Sequence, residues 1–214
     1  KRFIEASSDA PIASIAGKNI PSTAVFKNRI LYFTAEETET LNEHAIQNGA
    51  RLGDNPFYLS CCCRAVNNVL KQRQQTGTLW IPIPYDGRLK GSLGPVISNT
   101  VAFIFYRVPE KALADMKETV ACFSSQMTGQ IKEKMPRKYG LLLNLMRRIP
   151  LRLYYFLVNR SGEGSFASFL YSSAVETFNV LKTLFGEMVS GLTIFPSSTF
   201  PPGLAFSFQK HREA

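Results

Sequence analysis

Apolar and polar positions change period several times along the chain, and each change marks an element. Residues Lys1–Asn28 mix Ser, Pro, Gly and Ala in neither a helical nor an alternating period, so they read as a surface crossover or linker. Arg29–Phe33 (Arg-Ile-Leu-Tyr-Phe) then predicts a short strand. Thr34, with Glu37 three residues later, predicts a capped helix whose apolar face is Leu41, Ala45 and Ile46 and which Gly49 ends. Asp54-Asn55-Pro56 opens a second helix, in which Phe57, Leu59, Cys62, Cys63, Val66, Val69 and Leu70 cover most of the circumference. That helix is expected to be buried.

Leu79–Ile83 is a short apolar run whose prolines confine it to an edge or to the end of a strand. Tyr85-Asp86-Gly87-Arg88 turns, Gly91 and Gly94 follow, and Ser98–Val108 is the strongest strand signal in the chain, apolar enough for burial on both faces. From Pro109 a helix is expected to about Gln130, with Leu113, Met116, Val120 and Phe123 inward. A basic stretch and a Leu-rich helix pair divided at Pro150 come next. Ser165–Ser172 predicts a strand, Phe178–Phe185 a short helix or turn, and Met188–Phe195 and Gly203–Phe208 two closing strands in an antiparallel hairpin. Helices alternate with strands throughout, which predicts an α/β fold with a mixed β-sheet flanked by helices.

Composition adds constraints. At 45% apolar and 12% aromatic, 214 residues are ample for a packed core, which excludes a disordered chain. A formal charge of +9 points to anionic partners: coenzyme phosphates, an acidic carrier protein, a lipid surface or nucleic acid. Nucleic acid is set aside, because aromatic and basic residues do not interleave as in any recognisable module. Cys61, Cys62 and Cys63 point in three directions about 100° apart on one helix, and with Cys122 they make neither a metal site nor a disulfide framework. They read as small buried apolar residues in a reducing compartment, and the expected location is cytoplasmic. The chain begins Lys-Arg-Phe-Ile-Glu with no signal pattern and reads as a partial or processed polypeptide. The nearest approach to a membrane span, Leu141–Val158, is broken by Arg147, Arg148, Pro150 and Arg152.

Several stretches carry a resemblance: Leu31–Leu70 with Thr-Ala-Glu-Glu-Thr-Glu-Thr-Leu and Asp54-Asn-Pro; Ile83-Pro-Tyr-Asp-Gly-Arg88 before a Gly-rich turn and Asn99; Leu141–Val158 with its central Pro; Phe169-Leu-Tyr-Ser-Ser173; and the closing Leu192–Phe208 with Pro-Pro-Gly. In this order they resemble the C-terminal lobe of the chloramphenicol-acetyltransferase-like superfamily, which includes condensation domains and the wax ester synthase/diacylglycerol acyltransferase group. The resemblance implies residues 29–214 as one lobe of a two-lobed CoA-dependent acyltransferase fold, with residues 1–28 as the crossover.

It further implies transfer of an acyl group from acyl-CoA or a carrier thioester to a hydroxyl or amine, in a tunnel shared with a missing N-terminal lobe. The family's base is the second His of a His-His-x-x-x-Asp motif. Here only His44, read as a surface residue, and His211, in the charged tail, are present, and neither has that context. This chain is therefore expected to hold no catalytic residue and to be inactive alone. No cofactor is expected to be resident; a coenzyme A thioester is the implied cosubstrate.

Ser172 and Ser173 fall where the wax ester synthase group has a Ser-Asn pair facing the tunnel, and Asn99 falls near a frequent Gly-Asn. Each has a plain alternative, strand-end or turn hydrogen bonding. Asp86 and Arg88 resemble an architectural Asp-x-Arg salt bridge. Lys132, Lys134, Arg137, Lys138, Arg147, Arg148 and Arg152 stand against Glu133 alone, and three readings stay open for them: solvated helix faces, contact with coenzyme A phosphates, or peripheral membrane contact. A non-catalytic membrane- or protein-binding module of the same fold is the alternative function.

Overall fold

The computed structural model describes residues 12–16, 25–51, 53–86, 101–146, 148–153, 167–174, 183–188 and 202–209. Helices α1 (Ala35–Gln47) and α2 (Asn55–Gln72) are followed by strands β1 (Leu79–Asp86) and β2 (Val101–Val108). A 3-10 turn (Glu110–Leu113), α3 (Met116–Lys132), α4 (Met135–Met146), β3 (Leu170–Ala174), β4 (Thr183–Leu184), β5 (Glu187–Met188) and β6 (Ala205–Gln209) complete the order. The α/β class expected from the sequence is the class observed.

Helices α1 and α3 start on side-chain caps, whereas Asp54, before α2, makes no side-chain cap hydrogen bond. Thr34 and Glu37 form the reciprocal pair: Glu37 Oε2 accepts from the Thr34 N–H at 2.8 Å, and Thr34 Oγ1 accepts from the Glu37 N–H at 3.2 Å. Only Leu41 and Ala45 turn inward from α1, because Ile46 is 62% exposed; the expected three-residue apolar face is narrower than its spacing suggests. Pro56 sits in the first turn of α2, where its missing N–H leaves nothing unsatisfied. Phe57, Leu59, Cys62, Cys63, Val66 and Leu70 are all buried, as the dense apolar pattern demands.

The helix expected from Pro109 is divided. Its first four residues form the 3-10 turn, and a second start follows, because the Asp115 carboxylate accepts from the Glu118 N–H at 3.1 Å. Those backbone N–H groups hold the exposed Asp115 carboxyl below its ordinary range.

Strands β1 and β2 pair antiparallel from Leu79↔Val108 to Asp86↔Val101. The N–H and C=O of Trp80 turn away from β2 to Ser168. Pro82 and Pro84 share that parity, so they fall on the side of β1 without a continuous ladder, as two residues lacking a donor require. On the far edge of β2, two side chains of α3 take the place of a neighbouring strand. Gln126 accepts from the Arg107 N–H at 3.0 Å and donates to the Arg107 carbonyl at 2.7 Å, and Gln130 donates to the Phe105 carbonyl at 2.9 Å.

Three expectations are corrected. Residues 25–34 form no strand, and Leu31 and Tyr32 are 63% and 73% exposed. The crossover is not wholly at the surface: Ala13 and Ser14 are buried, and Ile12 bridges Thr78 in parallel. Residues 183–188 are a tight hairpin with Phe185 and Gly186 at positive φ, the geometry of a two-residue primed turn, where a helix or turn and the start of a strand were expected. Strand β6 runs parallel to β3, from Leu170↔Ala205 to Ala174↔Gln209; the antiparallel hairpin expected for it is a separate pairing. The partner expected for that hairpin lies mostly outside the described residues.

Ser168 joins three chain segments. Its Oγ donates to the Ala13 carbonyl and accepts from the Trp80 N–H, its N–H donates to the Trp80 carbonyl, and its carbonyl accepts from Ile15 N–H. The residue is fully buried. Around this node the main core gathers α2, β1, β2, Leu113, Phe123, Phe169 and Tyr171. A smaller cluster of Ala45, Ala50, Phe57 and Val120 holds α1 against α2 and α3.

Candidate functional site

The core faces of these elements enclose a partly open cavity of about 200 Å³. Helix α2 supplies Asn55, Pro56 and Leu59, the two strands Ile83, Pro84, Ile104 and Tyr106, and α3 Phe123 and Met127. Strand β3 adds Tyr171 and Ser173. The alternation of β2 decides its share: Ile104 and Tyr106 face the cavity side, while Phe105 lies on the other face against Tyr139 of α4, ring centroids 5.2 Å apart.

Polar atoms gather where β3 meets α2. The Tyr171 hydroxyl donates to Asn55 Oδ1 at 3.2 Å. Burial, with smaller contributions from nearby Cys62, Tyr58 and the neighbouring thiols, pushes the Tyr171 phenol far up, so it stays a neutral donor. Burial likewise pushes Tyr106 up to about 12. Ser173 brings a small hydroxyl to an otherwise apolar lining. The cavity can therefore take an apolar chain and offer hydroxyl groups to one polar end.

The sequence-derived site residues divide accordingly. Ser173 lines the cavity; Ser172 alternates to the opposite face of β3, where it pairs in register with the exposed Ser207. Asp86 ends β1 opposite Val101, while Arg88 and Asn99, and with them the Asp86–Arg88 salt bridge, lie outside the described residues. Lys132, Lys134, Arg137, Lys138, Arg148 and Arg152 are all exposed, and Arg147 lies outside the described residues. His44 is exposed on α1 and His211 is outside the described residues. Tyr171 and Asn55 were not singled out; Tyr171 stands inside the Phe-Leu-Tyr-Ser-Ser run, but nothing in its sequence context ties it to Asn55, 116 residues away.

Cys62 and Cys63 are buried as expected, whereas Cys61 and Cys122 are only half-buried. Cys63 is completely buried, and burial first, then the neighbouring thiols, pushes its thiol well above the ordinary 9.0. Burial drives Cys62 from 9.0 to about 12. The folded state thus favours the neutral thiol, and the unfolded chain releases the proton first. Stability supplied by Cys62 is whole below pH 9.0 and is lost as the pH rises toward about 12. The urea midpoint should fall across that window, and Cys62→Ala should flatten the fall; an unchanged slope in the variant contradicts the assignment. Among the described residues, no three His, Cys, Asp or Glu side chains come together as a metal site, and no helix is long and apolar enough to cross a membrane.

Compared with protein-family models, with curated proteins and with solved structures, the chain matches none.

Proposed function

We propose that this chain is the acyl-holding lobe of an acyltransferase that works with acyl-CoA or a carrier-bound thioester. The observation that supports this reading is the cavity between α2, α3 and the strands, apolar in its lining and bordered by Ser173 and the Tyr171–Asn55 pair. An apolar cavity of about 150 Å³ accepts benzene, so about 200 Å³ suits a chain of roughly six to eight carbons.

In this reading the acyl tail lies among Leu59, Ile104, Phe123 and Met127, and the Ser173 hydroxyl donates to the thioester carbonyl as negative charge grows on its oxygen. The acceptor hydroxyl or amine attacks the carbonyl carbon, the C–S bond breaks, and the thiolate leaves. The proton lost by the acceptor passes through an imidazole to the leaving sulfur. In this reading that imidazole comes from a partner lobe bearing the His-His-x-x-x-Asp motif; the one described histidine, His44, is exposed and lies outside the cavity lining.

Calorimetric titration with octanoyl-CoA and with coenzyme A alone tests the reading. Each buried methylene is worth about 0.8 kcal/mol, so even two give the octanoyl form a roughly tenfold advantage. Ser173→Leu, which fills the cavity from its partly exposed rim, should abolish that advantage while leaving the thermal midpoint near the parent value. Equal affinity for the two ligands, no binding of either, or an advantage that survives Ser173→Leu overturns it.

A further inference from the structure

Helix α4 is amphipathic in the reverse of the usual sense. Tyr139 turns inward to Phe105, while the outward face carries Arg137, Leu141 and Leu145 at i, i+4 and i+8, with Lys138 and Leu142 beside them. All five lie within about 140° of arc. Leu141 is 63% exposed and Leu145 61%. Further exposed apolar side chains lie on both sides in the sequence, Ile131 at the end of α3 and Leu151 and Leu153 beyond Pro150. Lys132, Lys134, Arg148 and Arg152 stand among them, all solvent-accessible. Lys134 adopts a positive φ of 53° at the corner between α3 and α4, where the chain turns from one helix into the other.

We propose that this face docks on an anionic lipid surface, with α4 lying in the plane of the headgroups. Its leucines would enter the acyl boundary, and the Lys and Arg side chains would reach back to lipid phosphates and carboxylates along their own methylene stems. Charge selects this occupant over the others. From Ile131 to Leu153 the sequence holds seven basic residues and one acidic residue, Glu133. A second copy presenting the same face would meet like charge, and the centre of a protein interface is depleted in charge, above all lysine. A negatively charged headgroup layer accepts both the leucines and the cations.

The site is independent of the cavity. Phe105 and α4 occupy one face of β2, and Ile104 and Tyr106, which line the cavity, occupy the other. Failure of lipid binding therefore leaves the acyl reading standing, and the reverse holds too.

Sedimentation of the 214-residue chain with vesicles of phosphatidylcholine, or of phosphatidylcholine mixed with phosphatidylserine, tests it. The chain is expected to pellet with the anionic vesicles at low salt, much less with the neutral ones, and to be released as salt rises. Arg137→Ala with Lys138→Ala should weaken binding by on the order of tenfold or more, about fivefold for each cation removed. Leu141→Gln with Leu145→Gln should weaken it at least as much without lowering the thermal midpoint, since both side chains are already in water. The proposal is overturned by equal binding to both vesicle types, by no binding, or by either double variant binding as tightly as the parent. A parent that is a dimer, and that Leu141→Gln with Leu145→Gln makes monomeric, overturns it as well.

Discussion

Ser168→Ala is expected to lower the unfolding free energy by about 2–5 kcal/mol, because one hydroxyl serves two buried backbone groups that have no water to turn to. In the parent the Oγ donates to the Ala13 carbonyl and accepts from the Trp80 N–H, inside a residue that is 0% exposed. Alanine leaves an acceptor on the N-terminal segment and a donor on β1 unpaired at once, each at about 1–3 kcal/mol. Two other bonds of the node are backbone to backbone and survive the substitution. The loss is thus confined to the side chain, and the fold should persist in weakened form. Against a typical total of about 5–15 kcal/mol, the shift in the urea midpoint should be large at unchanged slope. Ser172→Ala, four residues on and on the outer face of β3, is the control and should move stability by no more than about 0.5 kcal/mol. Equal effects at the two positions would remove Ser168 from its assigned role.

Phe123→Ala should cost about 3–5 kcal/mol. Its ring is 1% exposed and meets Tyr106 edge to face with centroids 5.5 Å apart, a pairing worth about 0.5–1.5 kcal/mol beyond simple burial. The position also borders the cavity, so truncation joins new empty space to old and the surrounding side chains have little on which to collapse. Chemical denaturation measures the loss; a change below about 1 kcal/mol would mean that the site repacks and that Phe123 is not a wall of the cavity. Phe123→Leu, a milder truncation, is the useful companion. If the cavity holds acyl tails, the longest chain accepted with full affinity should increase in that variant.

The local elements are legible in the sequence wherever the chain itself supplies the determinant. Thr34 with Glu37, Pro56 in a first turn, the crowded apolar pattern of Phe57–Leu70 and the continuous apolar run after Asn99 each act over a few residues, and each yields the expected helix or strand. Arg29–Phe33 fails for the complementary reason. Its residues suit a strand, yet a strand needs a neighbour to hold its backbone hydrogen bonds, and no local feature supplies one. The direction of β6 is likewise set by what lies beside it, and two apolar runs near each other in sequence did not disclose that the partner would be β3.

The site is partly legible. Ser173 lines the cavity, and strand alternation separates it from Ser172, which sequence alone could not place on one face or the other. Ser168 carries no signal at all, since a serine between two apolar residues reads as an ordinary strand position. Gln126 and Gln130 had a faint one, two amides four residues apart on a helix that follows an apolar strand. The basic stretch is plain in the sequence, but whether its leucines look inward or outward depends on how α4 rolls against Phe105.

Strand β2, the most apolar of the described strands, ends its described sheet at an edge that would otherwise invite fibril growth. Gln126 closes that edge with a side-chain amide, occupying the positions an incoming polypeptide would need at Arg107. The guard is only as durable as the helix that carries it. Heat or denaturant that frays α3 before the strands come apart would uncover a template for cross-β stacking.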